Sequence, residues 1–430
     1  MYGGKQRSMG MLSFGILLSF CLVLISFGTA AAEKITLTWY EWVSQEAKPG
    51  VMEHIIKGFE KKHPDINVKQ ITDPWPVTHD KIITMWQAGR LPDVLAVNRN
   101  WLWEFVSLGL IEPLDPYLNQ ESPEYAQELQ NKFFEAARGT FRGKTYVFPL
   151  WGGVAGLVYN ADIFAKKGLL PPATLEDFVE VSKKLAEPAR FRYATVFCLS
   201  EKNVAGANVC TIGPLLYSMG GQYVRNKKAV FNEEPGVKTV DFMVNMEKKG
   251  YTMPGSITYT AADMRDMVAG EKAAMVLDGA WCWAVYGAKA PELNIKNAPV
   301  PMDEAIGTVY NGGNLGIPKQ SKHKSEAWEF IKYMTSDDTI YYWYKSGYMP
   351  LAKKIADFPE FKSEYEGFFE TFGSTNNFFQ TGSIPQEIQM NRIVVSAIHK
   401  VFLGEESAKE ALDAAAAKYN EVLEKAYGEE

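Results

Sequence analysis

The chain is 430 residues long, with 51 acidic against 45 basic side chains and a net charge of −6. Mild acidity of this kind argues against a nucleic-acid partner, because that binding relies on clustered Lys and Arg. No low-complexity tract or sharp internal repeat interrupts the sequence, and its length exceeds what one ordinary core fills, so two lobes are expected.

Lys5 and Arg7 come first, an apolar run covers 9–27, and Thr29-Ala30-Ala31-Ala32 follows. A charged start, a greasy middle and a small-residue exit are the parts of a secretory signal peptide, placed here at 1–32 with cleavage before Glu33. The run could span a membrane if retained, but the small residues at its end favour cleavage. Cys21 follows Phe20, a poor match to a lipoprotein acylation site. The expectation is a soluble protein exported to the periplasm. Export permits a disulfide. Of the three remaining cysteines, Cys198 and Cys210 are the pair that would close a small loop, while Cys282, beside two tryptophans, is expected to be buried. No CxxC motif occurs, so neither zinc nor redox chemistry is indicated.

In chain order, 35–39 reads as a first strand, followed by a loop at Tyr40-Glu41-Trp42-Val43-Ser44. Apolar residues at Val51, Ile55, Ile56 and Phe59 give a helix over 51–63. Residues 66–71 alternate as a second strand, and 79–88 form a helix closed by Gly89. The apolar run 93–97 has the character of a parallel strand covered on both faces, and 101–108 is a third helix. This β-loop-α order points to an open, doubly wound α/β sheet. Such sheets bind ligands beyond the carboxyl ends of their strands, here Tyr40-Glu41-Trp42 and Asn98-Arg99-Asn100-Trp101.

In the stretch 143–160, a strand at 146–148 is followed by Pro149 and Gly152-Gly153, and a second strand resumes at 157–159. Strands separated by an aromatic-glycine bend suit a chain leaving one lobe for another, with Trp151 on the bend facing the gap. A hairpin with a core Trp is the alternative. Further on, Thr174 and Asp177 form a capping-box-like start to a helix over 175–186. Residues 193–199 read as a strand, 237–249 and 261–270 as helices, and 273–277 as a strand ending in Asp278-Gly279-Ala280-Trp281. The run 308–317, a helix over 324–334, a turn at 346–350 and an alanine-rich helix over 407–423 complete the chain.

The stretches LPDVLAV, SLGLIEPLDPYL, GKTYVFPLWGGVAGLVYNADIFAKKGL, GEKAAMVLDGAW, GGNLGIPKQSKHKSEAWEFIKYMTS, SGYMP and FLGEESAKEALDAA occur in that order. Together they resemble the extracellular solute-binding proteins of bacterial ABC importers, and within them the sugar-binding family that includes the maltodextrin binder. The resemblance covers nearly all of the mature chain. It implies a periplasmic-binding-protein-like fold, with two doubly wound lobes joined by a three-crossing hinge and a sugar held between them. It also implies integral permease subunits and their ATPase as partners, a monomer, no enzyme activity and no cofactor. The crossings would fall near 148–151, 299–303 and 335–338. The N-terminal lobe would comprise 33–149 plus 303–335, and the other lobe 150–302 plus 336–430.

Asp278-Gly279-Ala280-Trp281 matches the turn where the maltodextrin binder carries a stacking aromatic, and Trp151-Gly152-Gly153 matches its hinge segment. The pattern departs at Gly153, where that binder has an acidic residue, and at Asn100-Trp101, where it has a charged pair. It departs again at Asn391, where the helix after Ser383-Ile384-Pro385-Gln386 carries a stacking Trp in the family. These departures tell against maltose and leave the sugar frame intact.

A pyranose needs flat aromatics for its C–H faces and planar polar groups for its hydroxyl rim. Trp42, Trp101, Trp151 and Trp281 stand at strand ends or bends, with Glu41, Asn98, Asn100, Asp278 and Asn314 as rim candidates. Gly312-Gly313 would let the backbone approach the ligand, Gly152 lies in the hinge segment beside Trp151, and Tyr348 sits in the SGYMP turn. Each has a structural reading too: most tryptophans are core, and Glu41 or Asn98 could simply cap a helix.

Other chemistries fit less well. The run 139–145 looks like a phosphate loop, but it has three residues between its glycines and a strand after it. No HExxH or GxSxG motif occurs. Tyr341-Tyr342 resembles the adjacent tyrosines of ferric-ion binders. A glycan-active enzyme would need two paired carboxylates, and a polyamine binder several carboxylates in its cleft. Nothing in the sequence pairs two acids.

Overall fold

The computed structural model describes residues 1–4, 34–45, 49–134, 137–303, 307–349, 351–354, 365–374 and 378–428. The signal-peptide run from residue 5 to its expected cleavage point lies outside the described residues. Among those described, no helix is long and apolar enough to cross a membrane.

Eleven strands are described: β1 (Ile35–Glu41), β2 (Ile66–Thr72), β3 (Val94–Asn98), β4 (Gly139–Phe141), β5 (Lys144–Asn160), β6 (Val224–Arg225), β7 (Lys228–Ala229), β8 (Met275–Gly279), β9 (Ile295–Ala298), β10 (Thr308–Gly316) and β11 (Phe378–Gln380). The main sheet runs β2-β1-β3-β10-β5-β4, with β11 on β10 and both β8 and β9 on β5. β1 lies parallel to β2, pairing Ile35 with Ile66 and Glu41 with Thr72, and parallel to β3. Every residue of β3 is buried, as its unbroken apolar run requires of a strand covered on both faces. β10 returns antiparallel to β3, so the first bank of strands is mixed rather than all parallel.

β5 organises the molecule. Its first half pairs antiparallel with β10, from Phe148 opposite Leu315 to Val154 opposite Tyr310. Its second half lies between β8 and β9, antiparallel to both. One strand therefore serves two banks, which makes this an α/β protein of two-lobe type. The expected break at Pro149 and the glycine pair is absent, and β5 is continuous. Pro149 faces Asn314 where the register of β10 shifts, so the missing N–H falls at an irregularity. Gly152 lies opposite Gly312. A Cβ on Gly152 would come within 2.6 Å of the Asn311 carbonyl oxygen, and one on Gly312 within 2.6 Å of that of Trp151. These glycines form a seam of close backbone contact; they do not end a strand.

Most helices lie where periodicity places them. Leu175–Leu185 starts with the full Thr174/Asp177 capping box. Trp75–Gln87 begins one turn earlier than expected, with Pro76 in its first turn, where a missing N–H costs nothing. The expected strand at 193–199 is not one: only the isolated bridges of Tyr193 with Ala273 and Thr195 with Thr252 form there. The chain from Glu201 to Ser218 is a string of short turns, including a π-helix at Asn208–Ile212. Cys198, Cys210 and Cys282 are all free and buried. Cys198 instead meets the Thr211 hydroxyl and the Gly206 carbonyl, at 3.4 and 3.6 Å.

Candidate ligand-binding cleft

The strand ends converge on one cavity of about 520 Å³, within the ordinary range for small-molecule sites. β1 delivers Trp42, the turn after β2 delivers Pro74 and Trp75, β3 delivers Asn98 and Asn100, β5 delivers Trp151 and β10 delivers Asn311. The opposite wall is built from Trp281 after β8, from 202–210, and from Thr260 and the helix Ala261–Ala269, which presents Arg265.

The indoles brace one another. Trp75 stacks on Trp101 at 5.0 Å and 13°. Trp42 meets Trp75, Trp101 and Trp151 at steep angles, 5.1, 5.3 and 6.2 Å between centroids. Tyr348 backs Trp151 at 5.7 Å. Glycines seat two of the lining indoles, Trp151 and Trp281. A Cβ on Gly313 would lie 2.8 Å from the Trp151 ring, and one on Gly279 would lie 2.2 Å from the Trp281 ring.

Of the expected site residues, Trp42, Asn98, Asn100, Trp151 and Trp281 line the cavity. Trp101, Tyr348 and Gly313 support lining residues from behind, and Gly152 belongs to the glycine seam. Glu41 is spent locally: its carboxylate accepts from the Ser44 N–H and hydroxyl and from Gln70 Nε2, at 2.6 to 2.9 Å. Asn314 donates to the carbonyls of Val97 and Gly312, stitching β10 to β3. Asp278 is fully buried behind the wall. It accepts from Arg265 Nε and Nη2 at 2.8 and 3.0 Å, the Gly279 N–H at 2.9 Å, Tyr286 at 3.2 Å and Cys210 at 3.3 Å.

Burial works against the charge on Arg265, and the facing Asp278 outweighs it, holding the guanidinium above its ordinary pKa. Burial first and Asp278 second push the Tyr286 phenol and the Cys282 thiol well up. The Cys210 thiol is raised by its hydrogen bond with Cys198, then by burial and Asp278. Both thiols and the phenol are therefore held neutral.

Among the described residues, two lining residues keep buried polar atoms without a partner: both side-chain polar atoms of Asn100, and Nε1 of Trp151. An unpaired buried donor or acceptor costs about 1–3 kcal/mol. Three such atoms belong to residues of this one cavity, and buried groups left unsatisfied call for an explanation. A larger hollow of about 820 Å³ lies between His79, Glu104 and the helices Glu387–Phe402 and Ala408–Gly428, but it lacks these indoles and this orphaned set. Among the described residues no His/Cys/Asp/Glu group could hold a metal ion.

Sequence reasoning missed Trp75, Lys202, Asn203, Arg265 and Asn311. Trp75 follows the carboxyl end of β2, so the strand-end rule that found Trp42 reaches it as well. Lys202 and Asn203 lie in a short 3₁₀ turn with no periodic signal.

Residues 42–340 match the family described as bacterial extracellular solute-binding protein. The chain belongs to this family. Its members are binding proteins of ABC transporters, not enzymes. A solute-binding relative, the multiple sugar-binding protein of Streptococcus mutans, is 26% identical over 81% of this chain and 83% of its own. Among solved structures, an ABC transporter solute-binding protein of Thermotoga lettingae bound with α-D-tagatose superposes with a TM-score of 0.80 at 25% identity, covering 91% of this chain and all of that one. A Listeria monocytogenes substrate-binding protein in complex with cycloalternan gives 0.78 at 18% identity over 92% and 99% of the two chains, which supports the fold alone.

Proposed function

We propose that this solute-binding protein is exported to the periplasm, captures a mono- or oligosaccharide between its lobes and hands it to the membrane subunits of an ABC importer driven by a separate ATPase, acting as a monomer. The observation that carries the reading is the set of unpartnered atoms on Asn100 and Trp151 within a ring of four indoles. A sugar offers both things that lining asks for, C–H faces and hydroxyls. The sugar named for the Streptococcus relative and the tagatose held by the Thermotoga structure point the same way.

In this reading the N-terminal lobe is 33–149 plus 303–335 and the other lobe is 150–302 plus 336–430, with β5 as the first crossing. The third crossing is drawn out along the helix Asp337–Lys345: Tyr342 stacks on His54 at 4.1 Å, while Tyr344 meets Tyr365 at 6.3 Å. A ligand touching both walls binds the closed arrangement better and shifts the population toward it. Among the described residues no Asp or Glu lines the cavity, which tells against a glycosidase, with its two carboxylates, and against a polyamine binder.

Calorimetric titration with a panel of sugars, polyols, polyamines and ferric iron tests the reading. Saturable binding of a sugar without turnover is expected, and binding confined to polyamines or iron would overturn it. Trp281→Ala should weaken the sugar more than tenfold while cooperative unfolding persists. An unchanged titration would remove Trp281 from the site.

A further inference from the structure

The cavity lining carries two cationic side chains and, among the described residues, no carboxylate. Lys202, Arg265 and the Trp151 indole can only donate. The amide oxygens of Asn98, Asn203 and Asn311 each accept one bond, from the Asn100 N–H at 3.1 Å, the Ala261 N–H at 3.2 Å and the Thr381 hydroxyl at 2.9 Å, and each keeps a second lone pair. Asn100 Oδ1 accepts no bond among the described residues. A carboxylate only accepts, so it suits the two cationic donors better than a neutral hydroxyl does.

Resting on the saccharide reading, we propose that the occupant is an acidic sugar, a uronate or an aldonate, whose carboxylate is received by Arg265 and Lys202. Asp278 takes Nε and Nη2 of Arg265 and thereby fixes the plane of the guanidinium. Two of its five N–H groups are used, and the rest are available in a fixed fork of the kind that suits a carboxylate. Asp278 does not compete for the role of ligand partner, because it is fully buried and already accepts five hydrogen bonds. Its charge balances Arg265, and Lys202, exposed at the rim with no ion-pair partner among the described residues, leaves the lining net positive. Asn100 and Trp151 on the far wall would then meet the ring hydroxyls.

The test is calorimetric titration of the mature protein with matched pairs: D-galacturonate and D-galactose, D-glucuronate and D-glucose, D-gluconate and D-glucitol, and digalacturonate beside maltose. D-glucose 6-phosphate is a further arm. At least one acid should bind 30-fold or more tighter than its neutral partner. That advantage should fall about tenfold in Lys202→Gln, and shrink as salt rises from 20 to 500 mM because the rim charge is screened. Lys202 is exposed, so this variant keeps the fold; Arg265→Lys, which keeps the charge but loses the fork, should cut the advantage as well. If neutral sugars bind as well as the acids, the acidic assignment falls while the saccharide reading stands. If the phosphate binds best, the carboxylate is wrong. If no sugar in either set binds, both readings fall.

Discussion

Asn100→Leu should stabilise the empty protein and disable it. The side chain sits in a 3₁₀ turn, 2% exposed, with Nδ2 and Oδ1 both unpartnered. Each buried unpaired group costs about 1–3 kcal/mol, and replacing a polar group with an apolar one of similar shape removes that cost. Two such groups set a ceiling of about 6 kcal/mol. Because the residue borders a cavity that admits water, a gain of about 1–2 kcal/mol is the expectation. The backbone bond from Asn100 N to Asn98 Oδ1 survives the change. Ligand binding moves the other way. Losing two hydrogen bonds at about 1 kcal/mol each weakens binding by about 2 kcal/mol, roughly 30-fold in Kd, before the stranded ligand hydroxyls add their own penalty.

The assay is a pair of measurements on the same preparation: the urea midpoint without ligand, and calorimetric Kd with the best ligand of the panel. Opposite signs are the signature. A variant that is less stable by 1 kcal/mol or more, with unchanged affinity, would mean the amide has a structural partner and no ligand contact, and the site would have to be sought elsewhere.

Other outcomes follow from the same structure. Gly152→Ala should lower stability by about 1–3 kcal/mol in urea unfolding, because its Cβ would strike backbone atoms of β10 that cannot swing aside. Burial raises the Glu387 carboxyl to about 8, against the opposing pull of the Gly382 N–H and then Arg99. With the folded pKa above the unfolded one, the folded state holds an extra proton between them, so stability falls from about pH 4.5 to 8 and flattens above. Glu387→Gln should remove that slope from melting temperatures taken across the interval, and an unaltered slope would assign it to another group. Thiol titration of the mature chain in denaturant without reductant should give three free thiols, Cys198, Cys210 and Cys282; a count of one would establish a disulfide.

Five of twelve expected residues line the cavity: Trp151 lies in the middle of β5, and the strand-end rule carried the other four there because it concerns topology, which hydrophobic periodicity reveals. It failed on Glu41 and Asp278 for one reason. A carboxylate at a strand end faces the ligand only if nothing nearer claims it; Ser44 stands three residues from Glu41, but the other claimants, Gln70 and Arg265, sit 29 and 13 residues away. Polar patterning along the chain does not show which partner wins. The 202–210 wall was illegible for another reason: 3₁₀ turns and a π-helix carry no repeat for a window to detect. Gly152-Gly153 was read as punctuation because glycine most often marks turns, whereas here the missing Cβ admits a neighbouring strand.

That seam also explains why the site lies where it does. Gly152 and Gly312 bring β5 and β10 into backbone contact immediately beside Trp151, whose ring rests on Gly313. The indole that lacks a hydrogen-bond partner is therefore fixed to the strand that leaves one bank and enters the other. Across the cavity, Trp281 is seated on Gly279 at the end of β8, which pairs with the far half of β5. Under the proposed reading, an occupant touching both indoles would hold the same strand on both sides of its crossing. Under the proposed reading, the free energy gained by satisfying Trp151 and Asn100 is delivered at the hinge itself, with no chain of intermediaries to carry it there.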